Sequence, residues 1–315
     1  MEIGSLEYKN KVLKIEQIDS LVFSGGGAKG LAYAGVVDEL GKRGILTEIK
    51  KVAGASAGAI IALIFGLGYS PKEIIKIIKN TNFAKFLDCN GGVDLNAVLQ
   101  NPLKHPIGVA YLGERLIATG ALCDGLVARE FLTGLIENKQ IPRNINFKQL
   151  YEHTGIELNI VCCDVSRKQT IIHNHKNSPN LSVLDAVHAS MSIPLVFKPV
   201  DLYHDGTTGV DGGTTDNYPL DAVLNPLGFI LTTKEQVMKT RFTKIKGAFD
   251  YIIAMIEMLG ASHNNEIFSK QENIDRTIFI DTLGIGALDF NMTSEQITAL
   301  IESGRKSVHD YFSDK

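Results

Sequence analysis

The chain has 315 residues, a formal net charge of −3, 44% apolar residues and 21% charged residues. A chain of this size and composition can bury a core without metal or disulfide support. Because the charge is close to neutral and no arginine-rich run occurs, nothing in the composition favours nucleic-acid binding.

The N-terminal twenty residues are polar and mixed in charge, without the apolar run of a secretory signal peptide. The longest apolar stretch, Ala57–Leu67, is too short to span a bilayer and contains glycine. We therefore expect a soluble protein of the cytoplasm, or one exported by a route that needs no N-terminal signal.

Two strand–glycine–helix units occupy the first seventy residues. Leu21–Phe23 is a short apolar run that ends in glycines, and Gly30–Arg43 then carries apolar residues at helical spacing. Lys50–Ala53 predicts a second strand, which glycines and the apolar Ala57–Leu67 helix follow. This alternation predicts an α/β fold with a largely parallel sheet. Both glycine turns fall at the carboxyl edge, where ligands bind in such folds.

The remainder of the chain shows no clear linker. Residues 82–123 are the least regular, and 82–118 is equally well interpreted as a lid or as a plain surface excursion. Phe249–Leu259 fits a core helix better than a membrane-interface helix, because it has no lysine or arginine.

We expect one domain over residues 1–315, with a motif-bearing core at about 21–220 that residues 221–315 complete or extend. Further helices are predicted at 124–138, 181–190 and 293–312, and further strands at 156–165, 169–173, 228–232 and 277–281.

The four cysteines show no metal or redox spacing. Cys162 and Cys163 are adjacent in a predicted strand and point to opposite faces, so they are poorly placed to pair. Without a CxxC motif, we expect Cys89 and Cys123 also to be buried, reduced thiols. No carboxylate cluster has EF-hand spacing and no histidine pair has zinc spacing, so we expect neither a metal nor a cofactor.

The segment 54–58, with the sequence GASAG, fits the G-x-S-x-G pattern between a predicted strand and a predicted helix. That context is the one in which a sharp turn projects a nucleophilic serine hydroxyl, here of Ser56. The N-terminus of the following helix favours negative charge near the turn. The alternative is a serine in a glycine-rich turn without chemistry.

The segment 24–30, with the sequence SGGGAKG, also joins a predicted strand to a predicted helix. Its glycines expose backbone amides that suit an oxyanion, and we expect the amides of Gly26, Gly27 and Ala57 to donate. The same glycines fit the dinucleotide fingerprint G-x-G-x-x-G, so a nucleotide-binding module remains an alternative. Glu48 lies near the distance at which that fingerprint needs an acidic residue, but it precedes the second strand instead of ending it.

The sequence Asp211-Gly212-Gly213 is usually only a turn. A serine nucleophile nevertheless needs a base, and only His263 and His309 follow Asp211. His309 lies in a predicted amphipathic helix, whereas His263 remains open as a third catalytic member. His188 and His204 are more typical of structural or surface histidines. If Asp211 is the base, we expect it to be shielded from water and hydrogen-bonded to Ser56.

The motifs SGGGAKG, GASAG and DGG, in that order, together with Ala189–Val200, resemble the patatin-like phospholipase family over roughly Leu21–Leu220. The resemblance implies a three-layer α/β fold with a central, mostly parallel sheet flanked by helices. It implies a Ser–Asp dyad that hydrolyses acyl esters of phospholipids, lysophospholipids or neutral lipids. The family often has arginine at the position of Lys29 and aspartate at that of Ser24.

The motifs and the resemblance together suggest roles for eleven residues of this chain. The catalytic pair is Ser56 and Asp211. The oxyanion hole is formed by Gly25, Gly26, Gly27 and Ala57. The supporting residues are Lys29, Gly30, Gly54, Gly58 and Gly212.

The expected partner of the chain is a lipid. The substrate would be membrane or micellar phospholipid, reached through peripheral contact with the membrane and with no nucleic acid involved. An acyltransferase with the same nucleophile and a different acceptor is the nearest alternative function.

Overall fold

The computed structural model describes residues 13–89, 93, 95–232, 251, 254–255, 258–259, 264 and 266–313. The N-terminal unit alternates strands and helices, as the glycine pattern predicts. Its elements are β1 (Ser20–Phe23), α1 (Tyr33–Lys42), β2 (Lys51–Gly54), α2 (Ala57–Gly66) and α3 (Pro71–Asn80). A 3₁₀ turn over Gly27–Ala32 links β1 to α1.

The segment that the sequence marks as irregular contains helices, so this expectation is wrong. The elements of this segment are α4 (Leu95–Gln100), α5 (Pro106–Thr119) and β3 (Ala121–Cys123), and they are followed by α6 (Leu126–Glu137), near the helix predicted at 124–138, and by α7 (Phe147–Thr154). Pro106 occupies the first turn of the 14-residue α5, and Gly120 ends it with φ 73°. Glycine is favoured at position 108 of α5 because Val98 packs where a Cβ would lie. The glycines and prolines therefore mark helix ends and close packing, not irregular backbone.

The second half of the chain completes the sheet and adds a long terminal helix. Its elements are β4 (Glu157–Asp164), β5 (Gln169–His173), α8 (Val183–Ser190), β6 (Leu195–Phe197), β7 (Val200–Asp201), β8 (Thr208–Asp211), β9 (Pro226–Ile230), α9 (Gln271–Asp275), β10 (Thr277–Phe279) and α10 (Ser294–Ser313).

The central sheet confirms the predicted architecture. Within the described residues its strand order is β10-β9-β1-β2-β4-β8-β7, with β5 also paired to β4. The strands from β10 to β4 are parallel, whereas β5 and β8 run antiparallel to β4 and β7 runs antiparallel to β8. A separate parallel pair joins β3 to β6.

Both faces of the sheet are covered. Leu21 and Phe23 of β1 pack into a large apolar cluster shared with α1, α2, α8 and α10, whereas Val22 packs on the other face against Tyr218 and Ile274. Helix α10 crosses α1 so closely that a Cβ on Gly304 would lie 2.0 Å from the Ala32 carbonyl oxygen. The arrangement is a three-layer α/β fold.

Cys89 and Cys123 form a disulfide, which corrects the expectation of free thiols at these positions. The fold brings them together because Asp88 accepts hydrogen bonds from the amides of Gly125 and Val127, at the start of α6. Cys162 and Cys163 are buried free thiols, in keeping with their opposed directions along β4. Among the helices in the described ranges, none combines the length and apolar character needed to cross a bilayer.

Candidate active site

Ser56 lies in the sharp turn between β2 and α2, with φ 54° and ψ −122°. A residue with a side chain rarely adopts this conformation, so surrounding contacts must hold the turn. A Cβ on Gly58 would lie 2.1 Å from the Phe23 carbonyl oxygen, and one on Gly54 would lie 2.2 Å from that of Gly58. Only glycine therefore allows β1, β2 and α2 to approach this closely around Ser56.

Asp211 ends β8, and its backbone pairs with Cys162 of the antiparallel β4. Its carboxyl group accepts the Gly213 amide at 2.7 Å, and the Ser56 side chain lies near enough to lower the pKa of this carboxyl. Asp211 and Ser56 are only 4% and 6% exposed. Burial raises the pKa of Asp211 to about 7, although the hydrogen bonds from Ser56 and Gly213 act in the opposite direction. A carboxyl with a pKa of about 7 can accept or release a proton near neutral pH.

The glycine loop 25–30 faces the Ser56 turn. Within the described residues, the amides of Gly26, Gly27 and Ala57 donate no backbone hydrogen bond, and Gly27, Ala57 and Ser56 line the same cleft. Gly25 does not fit the expected donor role, because its amide already donates to the Asn217 carbonyl at 2.9 Å. The structure therefore leaves three of the four expected oxyanion donors available.

The glycine loop is held from both sides. The Ala28 amide donates to the Ala287 carbonyl at 2.8 Å, and Gly27 has φ 55° with no room for a Cβ against that oxygen. At the start of the loop, the Ser24 hydroxyl accepts the Leu231 amide at 3.2 Å and donates to the Gly25 carbonyl. Serine at position 24, where the family often has aspartate, thus serves as a neutral hydrogen-bonding support.

The remaining predicted supporting residues lie around the same turn. A Cβ on Gly30 would lie 2.6 Å from that of Ala57, and one on Gly212 would lie 2.2 Å from the Val161 carbonyl oxygen. The Lys29 amide donates to Gly26 at 3.2 Å, and its side chain runs along Gly26. These residues allow close approach and shape the loop.

An apolar cleft opens beside Ser56. Except for the Ser56 hydroxyl, its lining side chains are apolar or absent, as in glycine. The larger lining residues are Leu31, Ile60, Ile61, Ile64, Ile78, Phe83, Phe86, Phe131, Met191, Ile193, Phe197 and Phe290. A hydrocarbon chain fits this environment, since nothing in it requires a polar partner.

In the described part of the chain, no histidine is hydrogen-bonded to Ser56 or Asp211. The His188 ring lies against the Gly125 carbonyl and Arg129, and burial, reinforced by the Arg129 charge, lowers its pKa to about 4. His204 and His309 are exposed. His263 lies outside the described residues, so its role stays a prediction. Within the described ranges, no cluster of three metal-ligating side chains occurs.

Several contacts at the site are not indicated by any pattern in the sequence. The Ser56 amide donates to the Ser190 hydroxyl, and the Asp211 amide donates to the Ser192 carbonyl. The segment Ala189–Val200 draws attention through its family resemblance, but its residues carry no catalytic pattern of their own. The aromatic residues of the cleft come from distant segments and share no local spacing.

Comparison with known proteins finds relatives over most of the chain. Residues 21–224 match the patatin-like phospholipase family. The YqhO protein of Bacillus subtilis (strain 168) is 31% identical over 299 residues, which cover 90% of this chain and 94% of that protein. A protein of Invertebrate iridescent virus 6, named "Probable lipid hydrolase 463L", is 23% identical over 94% of this chain and 89% of its own length.

The fold is also found in solved structures. The crystal structure of VipD from Legionella pneumophila matches this chain with a TM-score of 0.59 and 19% sequence identity, and the match covers 94% of this chain and 67% of VipD. Fold, site and family match define one class, the lipid hydrolases with a patatin-like α/β architecture. The chain belongs to the patatin-like phospholipase family.

Proposed function

We propose that the chain is a serine acyl hydrolase that cleaves acyl esters of phospholipids or lysophospholipids through an acyl-Ser56 intermediate. The observation that carries this proposal is the proximity of the buried Ser56 and Asp211 side chains beside an apolar cleft. A serine hydroxyl, a carboxyl with its pKa near 7 and a hydrocarbon-like binding surface are what ester cleavage on an acyl chain needs.

Acylation begins when Asp211 takes the hydroxyl proton of Ser56. The Ser56 oxygen attacks the ester carbonyl carbon, and the amides of Gly26, Gly27 and Ala57 donate to the resulting oxyanion. The tetrahedral intermediate then collapses, the ester C–O bond breaks, and the alcohol leaves with the proton held by Asp211. Water deacylates the enzyme by the same route in reverse, with Asp211 as base, and releases the fatty acid.

The apolar cleft supports the acyl chain as the recognised part of the substrate. Ile60 and Ile64 project from α2 one helical turn apart, so they extend the surface away from Ser56 along the helix. Phe83, Phe86 and Phe131 pack against one another on the wall. Each buried methylene of a bound chain contributes about 0.8 kcal/mol, so the cleft favours long acyl groups over acetyl esters.

We also propose that α5 and the turn before it form a membrane-contact face. Leu103, Ile107 and Ile117 are 96%, 84% and 90% exposed. The opposite side of α5 packs in one apolar cluster with Ile193 and Phe197, which line the cleft. Helix α5 and the cleft thus border the same apolar cluster. Because the substrate resides in a lipid aggregate, the occupant that fits this face is the lipid surface itself.

Product analysis of Ser56→Ala tests the proposed function. We expect wild type to release fatty acid from phosphatidylcholine or lysophosphatidylcholine vesicles, and Ser56→Ala to lose at least a thousand-fold of that rate. Ser307→Ala, which removes a hydroxyl on α10 outside the site, should match wild type. Unchanged turnover by Ser56→Ala would refute the proposal, and acylated alcohol formed in place of fatty acid would identify an acyltransferase.

A further inference from the structure

The last turn of α8 contacts the backbone of both halves of the proposed dyad. The Ser190 hydroxyl accepts a hydrogen bond from the Ser56 amide at 3.1 Å. Two residues further on, the Ser192 carbonyl accepts one from the Asp211 amide at 2.9 Å. Nucleophile and base are 155 positions apart in the chain, yet the same short segment fixes both. Neither contact is a step of the hydrolysis proposed above.

Ser190 is held so that its hydroxyl has one orientation. It is fully buried and donates to the Val161 carbonyl at 2.6 Å. A serine hydroxyl has a single donor hydrogen, so the bond to Val161 leaves only its lone pairs for other partners. Those lone pairs receive the Ser56 amide. The bond to Val161 therefore fixes the rotation of the Ser190 hydroxyl and keeps a lone pair available to the Ser56 amide.

Val161 connects this hydroxyl to the base. It lies in β4 next to Cys162, whose backbone pairs with Asp211 in β8. The Val161 carbonyl oxygen is also the atom against which Gly212 packs, at 2.2 Å from the position a Cβ would take. Movement of the Val161 carbonyl would thus disturb the turn after Asp211 as well as the Ser190 hydroxyl.

The contact from Ser190 matters because the Ser56 backbone is strained. With φ 54°, Ser56 would relax toward an ordinary turn if its amide lost its partner, and its side chain would rotate away from Asp211. We propose that Ser190 is a positioning residue, whose hydroxyl locks the nucleophile turn against β4 and keeps Ser56 in line with its base. This inference rests on the proposed function and assigns a task to a residue outside the dyad and the oxyanion loop.

An isosteric pair of variants isolates the hydroxyl. Ser190→Thr and Ser190→Val have nearly the same shape and add the same bulk, but only threonine keeps the hydrogen-bonding oxygen. With a soluble short-chain nitrophenyl ester, we expect the kcat of Ser190→Val to be 10- to 100-fold below that of Ser190→Thr, with KM within about twofold. Ser190→Ala, which adds no bulk, should show a similar loss of kcat relative to wild type.

Thr277→Val is the matched control. It removes another buried hydroxyl that links two groups, the Tyr218 hydroxyl and the Asn273 carbonyl, without touching Ser56 or Asp211. We expect it to reduce stability to unfolding by an amount similar to that of Ser190→Ala and to leave kcat unchanged. Loss of kcat in both variants would show a general effect of destabilisation and would overturn the positioning role.

The outcomes separate this inference from the proposed function. If Ser56→Ala is inactive while Ser190→Ala and Ser190→Val retain the wild-type kcat, the hydrolase stands and the role of Ser190 is refuted. If Ser56→Ala retains full turnover, both fail. Labelling of wild type, but not Ser56→Ala, by a fluorophosphonate, together with at least tenfold slower labelling of Ser190→Ala, would support both.

Discussion

Asp211→Asn should stabilise the protein above neutral pH while it removes activity. The native state keeps a proton on Asp211 up to about pH 7, whereas the unfolded chain releases it near 3.8. Between these values the unfolded state binds fewer protons, so this group makes stability fall as pH rises. The slope is about 1.36 kcal/mol per pH unit, which gives a total of about 4 kcal/mol across the window. Asparagine does not ionise, so the free energy of unfolding of the variant does not fall with rising pH through this group.

The measurement is the free energy of unfolding in urea at pH 4.5, 6 and 8. We expect the difference between Asp211→Asn and wild type to grow in favour of the variant by about 3 kcal/mol across the series, because the part of the window below pH 4.5 is not sampled. The same variant should lose about 10²- to 10⁴-fold in kcat on a soluble ester, since it lacks the base. The exposed Asp221→Asn serves as control and should keep the wild-type pH dependence of both quantities. A stability difference that stays constant from pH 4.5 to pH 8 would refute the buried, protonated carboxyl.

Three further expectations concern other parts of the molecule. Gly27→Ala should lower kcat at least a hundred-fold in a folded protein, because its Cβ would displace the oxyanion loop; wild-type kcat would contradict the role of this loop. The double change Ile107→Glu with Ile117→Glu should reduce vesicle hydrolysis about tenfold and leave soluble-ester hydrolysis unchanged, whereas an equal loss on both substrates would argue against membrane contact. Thiol titration of the unreduced, denatured chain should count two free cysteines, and Cys89→Ser with Cys123→Ser should lower the free energy of unfolding by roughly 3–4 kcal/mol; four titrated thiols would rule out the disulfide.

The sequence predicts the local structure around Ser56 and the glycine loop because its signals there are local. The strand, the glycines, Ser56 and the apolar helix lie within a few residues of one another, and each glycine has a steric reason. The family resemblance extends this to the fold and to Asp211. Helix α5 escapes prediction because the glycines at 108 and 113 are typical of loops, although one is packed and the other is exposed.

The contacts that complete the site depend on registers that no local pattern encodes. Strand β8 has only four residues, one of them glycine, so it lacks the alternation that identifies a strand. Its pairing of Asp211 with Cys162 follows from the packing of α8 and β4, not from residues near Asp211. The same holds for Ser190, an ordinary helical serine until the fold brings the Ser56 amide to it.

Strand β9 begins just beyond the segment 21–224 that the family match covers, and it carries a consequence for shortened versions of the chain. The Phe229 carbonyl accepts the Ser24 amide at 3.0 Å, and the still later Ala287 holds Ala28. A fragment that ends at residue 224 would lack β9, so the edge of β1 would be unpaired and open to pairing with other chains. It would also lack the Phe229 and Ala287 carbonyls that hold the glycine loop. Such a fragment should aggregate on expression, and any part of it that remained dispersed should be inactive even with Ser56 and Asp211 intact.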